Sequence, residues 1–125
     1  MNKNAVHGSV LIKRKGFDVG FSFAIPESSV TVFYGPSGSG KTTFLRYLAG
    51  LEKADVGKLV VNGVCWCDTS KKIFLKPCNR GVGYVVQDGH MFPHLSVEKN
   101  ILYGYKRLSE SSRLLDYSFL LSELN

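Results

Sequence analysis

Gly35-Pro36-Ser37-Gly38-Ser39-Gly40-Lys41-Thr42 fits the pattern G-x-x-x-x-G-K-[S/T] at every required position. Residues of these types at this spacing hold phosphate. A triphosphate is a dense cluster of negative charge, and binding it takes many donors at short range. Gly35, Gly38 and Gly40 carry no Cβ, so the backbone can take positive φ and come close to the ligand. Successive N–H groups then form a concave anion nest. A helix starting near Lys41 adds its unpaired first-turn amides and the positive end of its dipole. Lys41 supplies a cation for the β- and γ-phosphates. At ~4 Å and an effective dielectric near 20, that pair is worth up to about 4 kcal/mol before desolvation. Thr42 offers its hydroxyl to Mg²⁺, which takes few protein ligands. Thr43 can donate to another phosphate oxygen. Gly35 to Thr43 is thus a candidate site for a nucleoside triphosphate with Mg²⁺.

The loop works only between a strand and a helix, and the flanks read that way. Val30 to Tyr34 is β-prone and predicts a short buried strand feeding the loop. Thr42 to Ala49 predicts a helix with Phe44, Leu45 and Leu48 on its apolar face and Gly50 as its stop. Upstream, Val6 to Lys13 and Val19 to Ile25 predict two strands joined by a turn at Lys13 to Gly16. Downstream, Leu59 to Val61 and Val64 to Cys67 flank Asn62-Gly63, a strong hairpin signal. Residues 68 to 80 are polar and mixed, and read as loop. Val82 to Val86 predicts another strand, ending at Gln87. Val97 to Tyr103 predicts a helix with Ser96 as N-cap, and helical tendency returns from Arg113 to Leu124. An antiparallel layer is therefore mixed with a phosphate-loop α/β core.

With 125 residues, the prior is one domain or part of one. At 44% hydrophobic and 21% charged the composition is that of a globular chain. No apolar run reaches the ~20 residues that span a bilayer, and Met1 to Asn4 lacks the apolar core of a secretion signal. A cytosolic location is expected. The net charge of +6 is spread along the chain, with no groove-reading motif, so no nucleic-acid partner is expected. Cys65, Cys67 and Cys78 should be reduced thiols. Their spacing does not supply a zinc set, and on a strand Cys65 and Cys67 would point to one face.

Taken together, these pieces resemble the ATP-binding subunit of an ABC transporter, over nearly the whole chain from Val10 onward. Gly35 to Thr43 resembles the family's form of the phosphate loop, with its second Thr. Leu48-Ala49-Gly50-Leu51-Glu52 follows as in the family, and Asp55 to Gly63 resembles its next hairpin. Arg80-Gly81-Val82-Gly83-Tyr84-Val85-Val86-Gln87-Asp88 resembles the Q-loop. Met91 to Val97 with Asn100-Ile101 resembles the segment after it. Cys65-Trp66-Cys67-Asp68 and Ile73 to Pro77 most resemble the molybdate importers; sulfate and iron importers share much of the pattern.

The resemblance implies a P-loop NTPase core with an antiparallel β subdomain. It implies that Gln87 touches Mg²⁺ and the attacking water; Gln87 and the phosphate-binding Lys41 are the catalytic candidates. It implies an aromatic residue stacking on adenine, for which Phe17 is the nearest candidate, with core packing as the alternative. His94 falls on a surface implied to couple to the partner. The implied partners are a membrane permease subunit and a second ATPase subunit, with the protein peripheral on the inner face of the plasma membrane.

The family's signature motif, its Asp-Glu strand and its switch histidine do not occur within residues 1 to 125. The chain therefore reads as one partial nucleotide-binding domain, truncated before the signature motif. It is expected to bind nucleotide weakly and to hydrolyse it poorly. Val30 to Tyr34 and Val82 to Val86 are expected to lack sheet neighbours, an aggregation liability. The alternatives are a non-hydrolytic nucleotide-binding remnant and a small-molecule kinase; nothing in the sequence resembles the phosphoryl-acceptor site that the kinase needs.

Overall fold

The computed structural model describes residues 4–109 together with 118, 119 and 122. It divides into two units, residues 1–84 and 85–125.

Among the described residues, the first unit is an antiparallel sheet with one α-helix. Strands β1 (Asn4–Arg14), β2 (Phe17–Pro26), β3 (Val56–Val61), β4 (Val64–Asp68) and β5 (Ile73–Phe74) lie in the order β2-β1-β3-β4-β5. β1 to β4 each extend or match a predicted strand, because each hairpin carries its own turn chemistry. Gly16 takes φ 96°, and Asn62 and Gly63 take φ 48° and 79°, which is the left-handed pair that an Asn-Gly hairpin requires. Helix α1 (Lys41–Ala49) lies on the core side. Two of the three residues of the predicted face hold: Phe44 is buried and Leu48 packs half-buried against the core, whereas Leu45 is 43% exposed and Tyr47 is buried. Positions i and i+3 share a helix face, so Tyr47 takes the place that the sequence reading gave Leu45.

Ile12, Leu59, Phe44 and Tyr47 are fully enclosed, the three apolar ones each worth about 1.5–3 kcal/mol of burial. Phe21, Phe23 and Phe33 meet the Phe44 ring edge-on, at centroid distances of 4.5, 4.9 and 4.8 Å. Gly57 makes the close approach of helix to sheet possible. A Cβ there would stand 2.8 Å from Ser9 O and 3.2 Å from the Tyr47 hydroxyl.

Two predicted strands do not form among the described residues. Val30 to Tyr34 and Val82 to Val86 have no ladder partner there, and a strand exists only as a ladder. Val30, Val32 and Tyr34 are 94%, 76% and 93% exposed, so the expected burial is absent as well. The predicted loop over 68–80 is instead partly ordered: it holds β5 and a 3₁₀ turn, Pro77–Asn79. The register of β3 on β4 skips Trp66, since Leu59 faces Cys67 and Val60 faces Cys65. That bulge breaks the alternation on which a shared face for Cys65 and Cys67 relied. Cys67 is buried and Cys65 half-buried.

Asp68 closes the turn between β4 and β5. Its Oδ1 accepts from the Ser70 hydroxyl at 2.6 Å, the Ser70 amide at 3.0 Å and the Lys71 amide at 3.2 Å. The Ser70 hydroxyl, ahead of the amides and the Lys71 charge, holds this carboxyl below its ordinary value of 3.8. A depressed carboxylate stabilises the fold above its unfolded pKa, and that contribution is lost as pH falls through the folded value. Melting midpoints are therefore expected to drop on acidification below about pH 4. Asp68→Ala should remove part of that drop while lowering the midpoint at pH 7. Parallel acid profiles for the two proteins would contradict this role.

The second unit carries α2 (Val97–Tyr105). The Lys99 amide donates to Ser96 Oγ at 3.3 Å, as the capping signal predicts. Asn100 ties the preceding loop to α2: its Oδ1 accepts from the Phe92 amide at 2.7 Å, and its Nδ2 donates to Phe92 O and Leu95 O, both at 3.1 Å. The helix expected from Arg113 to Leu124 lies outside the described residues, apart from Ser118, Phe119 and Ser122, which are helical.

Candidate functional site

The phosphate loop runs from Gly35 to Gly40 into the first turn of α1. Gly38 and Gly40 take φ 81° and 91°, the left-handed conformations that only glycine adopts without strain. Gly40 is the N-cap, and no side chain caps the helix. The helical ladder begins with the Phe44 amide donating to Gly40 O at 2.9 Å. The amides of Lys41, Thr42 and Thr43 thus precede the ladder, at the positive end of the helix dipole.

Lys41 folds back over its own loop. Its Nζ donates to Gly35 O at 2.8 Å and Pro36 O at 2.7 Å, with a longer 3.4 Å contact to Ser39 Oγ. The Ser39 amide donates to Pro36 O at 3.3 Å and closes the turn. A full positive charge therefore sits on the loop, beside the unpaired amides. Residues Gly35 to Ser39 and Thr42 are exposed, with Lys41 and Thr43 partly so. This donor set suits an anionic phosphate. The Thr42 hydroxyl is a hard oxygen of the kind Mg²⁺ takes. A cavity of about 330 Å³ lies between the loop and the rings of Phe21, Phe33 and Phe44.

One contact that the sequence reading missed fixes the loop to the sheet. Gly40 lies against Val19 on β2, where a Cβ would come within 2.7 Å of Val19 Cγ2. Phe17 stands two residues before Val19 on the same strand face. It is 49% exposed, so core packing, the alternative for this residue, does not hold.

The opposite end of α1 is held by another residue that the sequence reading did not single out. Arg80 is 2% exposed. Its Nη1 donates to Tyr47 O and Leu48 O, both at 2.9 Å, and its Nε to Leu75 O at 2.8 Å. The guanidinium lies over the rings of Phe74 and Trp66, at 5.1 and 5.6 Å. A cation on the last carbonyls of a helix complements its dipole. Burial lowers the Arg80 pKa. Burial, aided by the neighbouring Cys67 thiol, raises that of the Tyr47 phenol. The available signal was an arginine in a stretch otherwise apolar or glycine-rich, Gly81 to Val86.

Gln87 belongs to the second unit. It is exposed and outside any helix or strand. His94 is exposed too, and borders a cavity of about 310 Å³ that Lys99, Tyr103 and Arg107 also line. Among the described residues no helix is long and apolar enough to cross a membrane.

Comparison with known proteins agrees with this geometry. The family model described as "ABC transporter" matches residues 19–124. Molybdenum import ATP-binding protein ModC of Pseudomonas aeruginosa is 43% identical over 101 residues, covering 81% of this chain and 28% of the relative. ModC of Pseudomonas savastanoi pv. phaseolicola is 48% identical over 97 residues, covering 78% and 27%. ModC 1 of Azotobacter vinelandii is 39% identical over 124 residues, covering 99% and 34%. The chain thus spans about a third or less of the length of these relatives. A phosphate loop running into α1, a five-stranded antiparallel sheet beside it and a family match over most of the sequence lead to one conclusion: the chain belongs to the ABC transporter family and carries part of its nucleotide-binding ATPase domain.

Proposed function

We propose that Gly35 to Thr43 binds the phosphates of ATP, and that the full protein hydrolyses ATP to drive import of molybdate. The observation that carries the first part is the Lys41 ammonium, seated on the loop carbonyls at the N-terminus of α1. The 3.4 Å contact to Ser39 Oγ is the weakest of its three, and a phosphate oxygen would replace it. The backbone amides of Lys41, Thr42 and Thr43 would point at the β- and γ-phosphates. Thr42 would hold Mg²⁺, and Gln87 would keep the role that the family resemblance implies, an amide for Mg²⁺ and the attacking water. Bound Mg²⁺ would neutralise charge on the β- and γ-oxygens. Phe17 would lie beneath the adenine ring.

Recognition through phosphate makes affinity depend on phosphate count. Equilibrium titration with Mg²⁺ present should rank ATP above ADP and ADP above AMP, with about tenfold or more between ATP and AMP, as one charge-assisted hydrogen bond is worth about 1.5–3 kcal/mol. Equal affinity for ATP and AMP would contradict the assignment.

The relatives' names support molybdate as the cargo. The partners in this reading are a membrane permease and a second ATPase subunit, at the cytoplasmic face of the membrane. Deleting the gene should reduce cellular molybdate uptake; loss of sulfate or iron uptake instead would assign another importer.

A further inference from the structure

We infer that Arg80 is a positioning residue for the phosphate loop, acting from the far end of α1. This rests on the reading that the loop binds ATP. The N-terminus of α1 is a glycine that packs against Val19 but has no side-chain cap, so no side-chain cap there helps set how the helix is turned. The other end is held firmly. Three hydrogen bonds from one planar guanidinium join the Tyr47 and Leu48 carbonyls of α1 to Leu75 O, just past β5. The Phe74 and Trp66 rings fix the plane of that fork.

Gly50 is matched to it. A Cβ at Gly50 would stand 2.6 Å from Arg80 Nε and 2.8 Å from Cζ. Between the two ends lie nine helical residues without Gly or Pro, a rigid rod of about 13 Å. A turn at Ala49 is therefore felt at Lys41. The arrangement also carries a cost. Arg80 Nη2 is buried with no hydrogen-bond partner, which is unfavourable. An exposed lysine could complement the helix dipole without that cost, but it would not fix the rotation of the helix.

The test uses the full chain. Arg80→Lys keeps the charge, but one ammonium cannot reproduce a planar fork held by two rings. ATP affinity is measured well below each protein's melting midpoint, alongside the amide chemical shifts of Gly38, Gly40, Lys41 and Thr42 without nucleotide. Arg80→Lys is expected to move those shifts and to weaken ATP binding about fivefold, the net worth of one hydrogen bond. If Arg80→Lys does not fold, Trp66→Leu removes one ring face and leaves the three hydrogen bonds; it should shift the same amides, with a smaller loss of affinity. Unchanged loop shifts and unchanged affinity, with only a lower midpoint, would overturn the inference. The two readings fail separately. Shifted loop amides in a protein that does not bind ATP would retain the positioning role and refute the ligand.

Discussion

Gly40→Ala should cost the chain most of its nucleotide affinity while leaving the sheet folded. Two effects add at this residue. Its φ of 91° is unfavourable for any residue with a Cβ, by about 1–2 kcal/mol. The added methyl would also meet Val19 at 2.7 and 2.9 Å, and overpacking of that kind costs about 1–3 kcal/mol. The strand cannot give way readily, because Val19 is buried and paired with Ile12 across β1. The loop gives way instead, and with it the register of the Lys41 and Thr42 amides. A loss of at least ~30-fold in ATP affinity is expected, corresponding to about 2 kcal/mol. Gly38→Ala is the internal comparison. Its φ of 81° is similar, but a Cβ there meets nothing within 4 Å, so its effect should be clearly smaller. Equal losses from the two variants would mean that contact with Val19 plays no part.

The largest effect on stability is expected from Arg80→Ala. The change strips donors from three carbonyls, Tyr47 O, Leu48 O and Leu75 O. Tyr47 O keeps the Gly50 amide as a donor, whereas Leu48 O and Leu75 O are left without one, at about 1–3 kcal/mol each. Against this, the variant relieves the unpaired Nη2 and the desolvated charge. A net loss of about 3 kcal/mol follows, a large share of the 5–15 kcal/mol typical of a domain. Urea denaturation followed by circular dichroism measures it directly. A change under about 0.5 kcal/mol, the size of an ordinary surface substitution, would show that water replaces the guanidinium without loss.

What could be read from the sequence was local. The phosphate loop, the Asn62-Gly63 hairpin, the Gly50 stop and the Ser96 cap each carry their cause within a few residues, and each is where the pattern placed it. What could not be read depends on distant neighbours. Val30 to Tyr34 has strand composition, yet nothing among the described residues pairs with it. Tyr47 rather than Leu45 reaches the core because Gly57, on β3, leaves room for its hydroxyl. Arg80 reads as a charged residue at the start of a strand; its role depends on carbonyls more than thirty positions earlier. The candidate site divides in the same way. The loop residues were legible, whereas Val19 and Arg80, which hold the loop and its helix in place, were not.

Lys41 on this loop is proposed to bind the phosphates of ATP, and titration of the chain and of Lys41→Ala with ATP and Mg²⁺ decides it. The ammonium–phosphate pair is worth up to about 4 kcal/mol before desolvation, so the variant should bind about 30-fold or more weakly, with its melting midpoint nearly unchanged. Equal affinity in the two proteins would rule out Lys41 as a phosphate ligand.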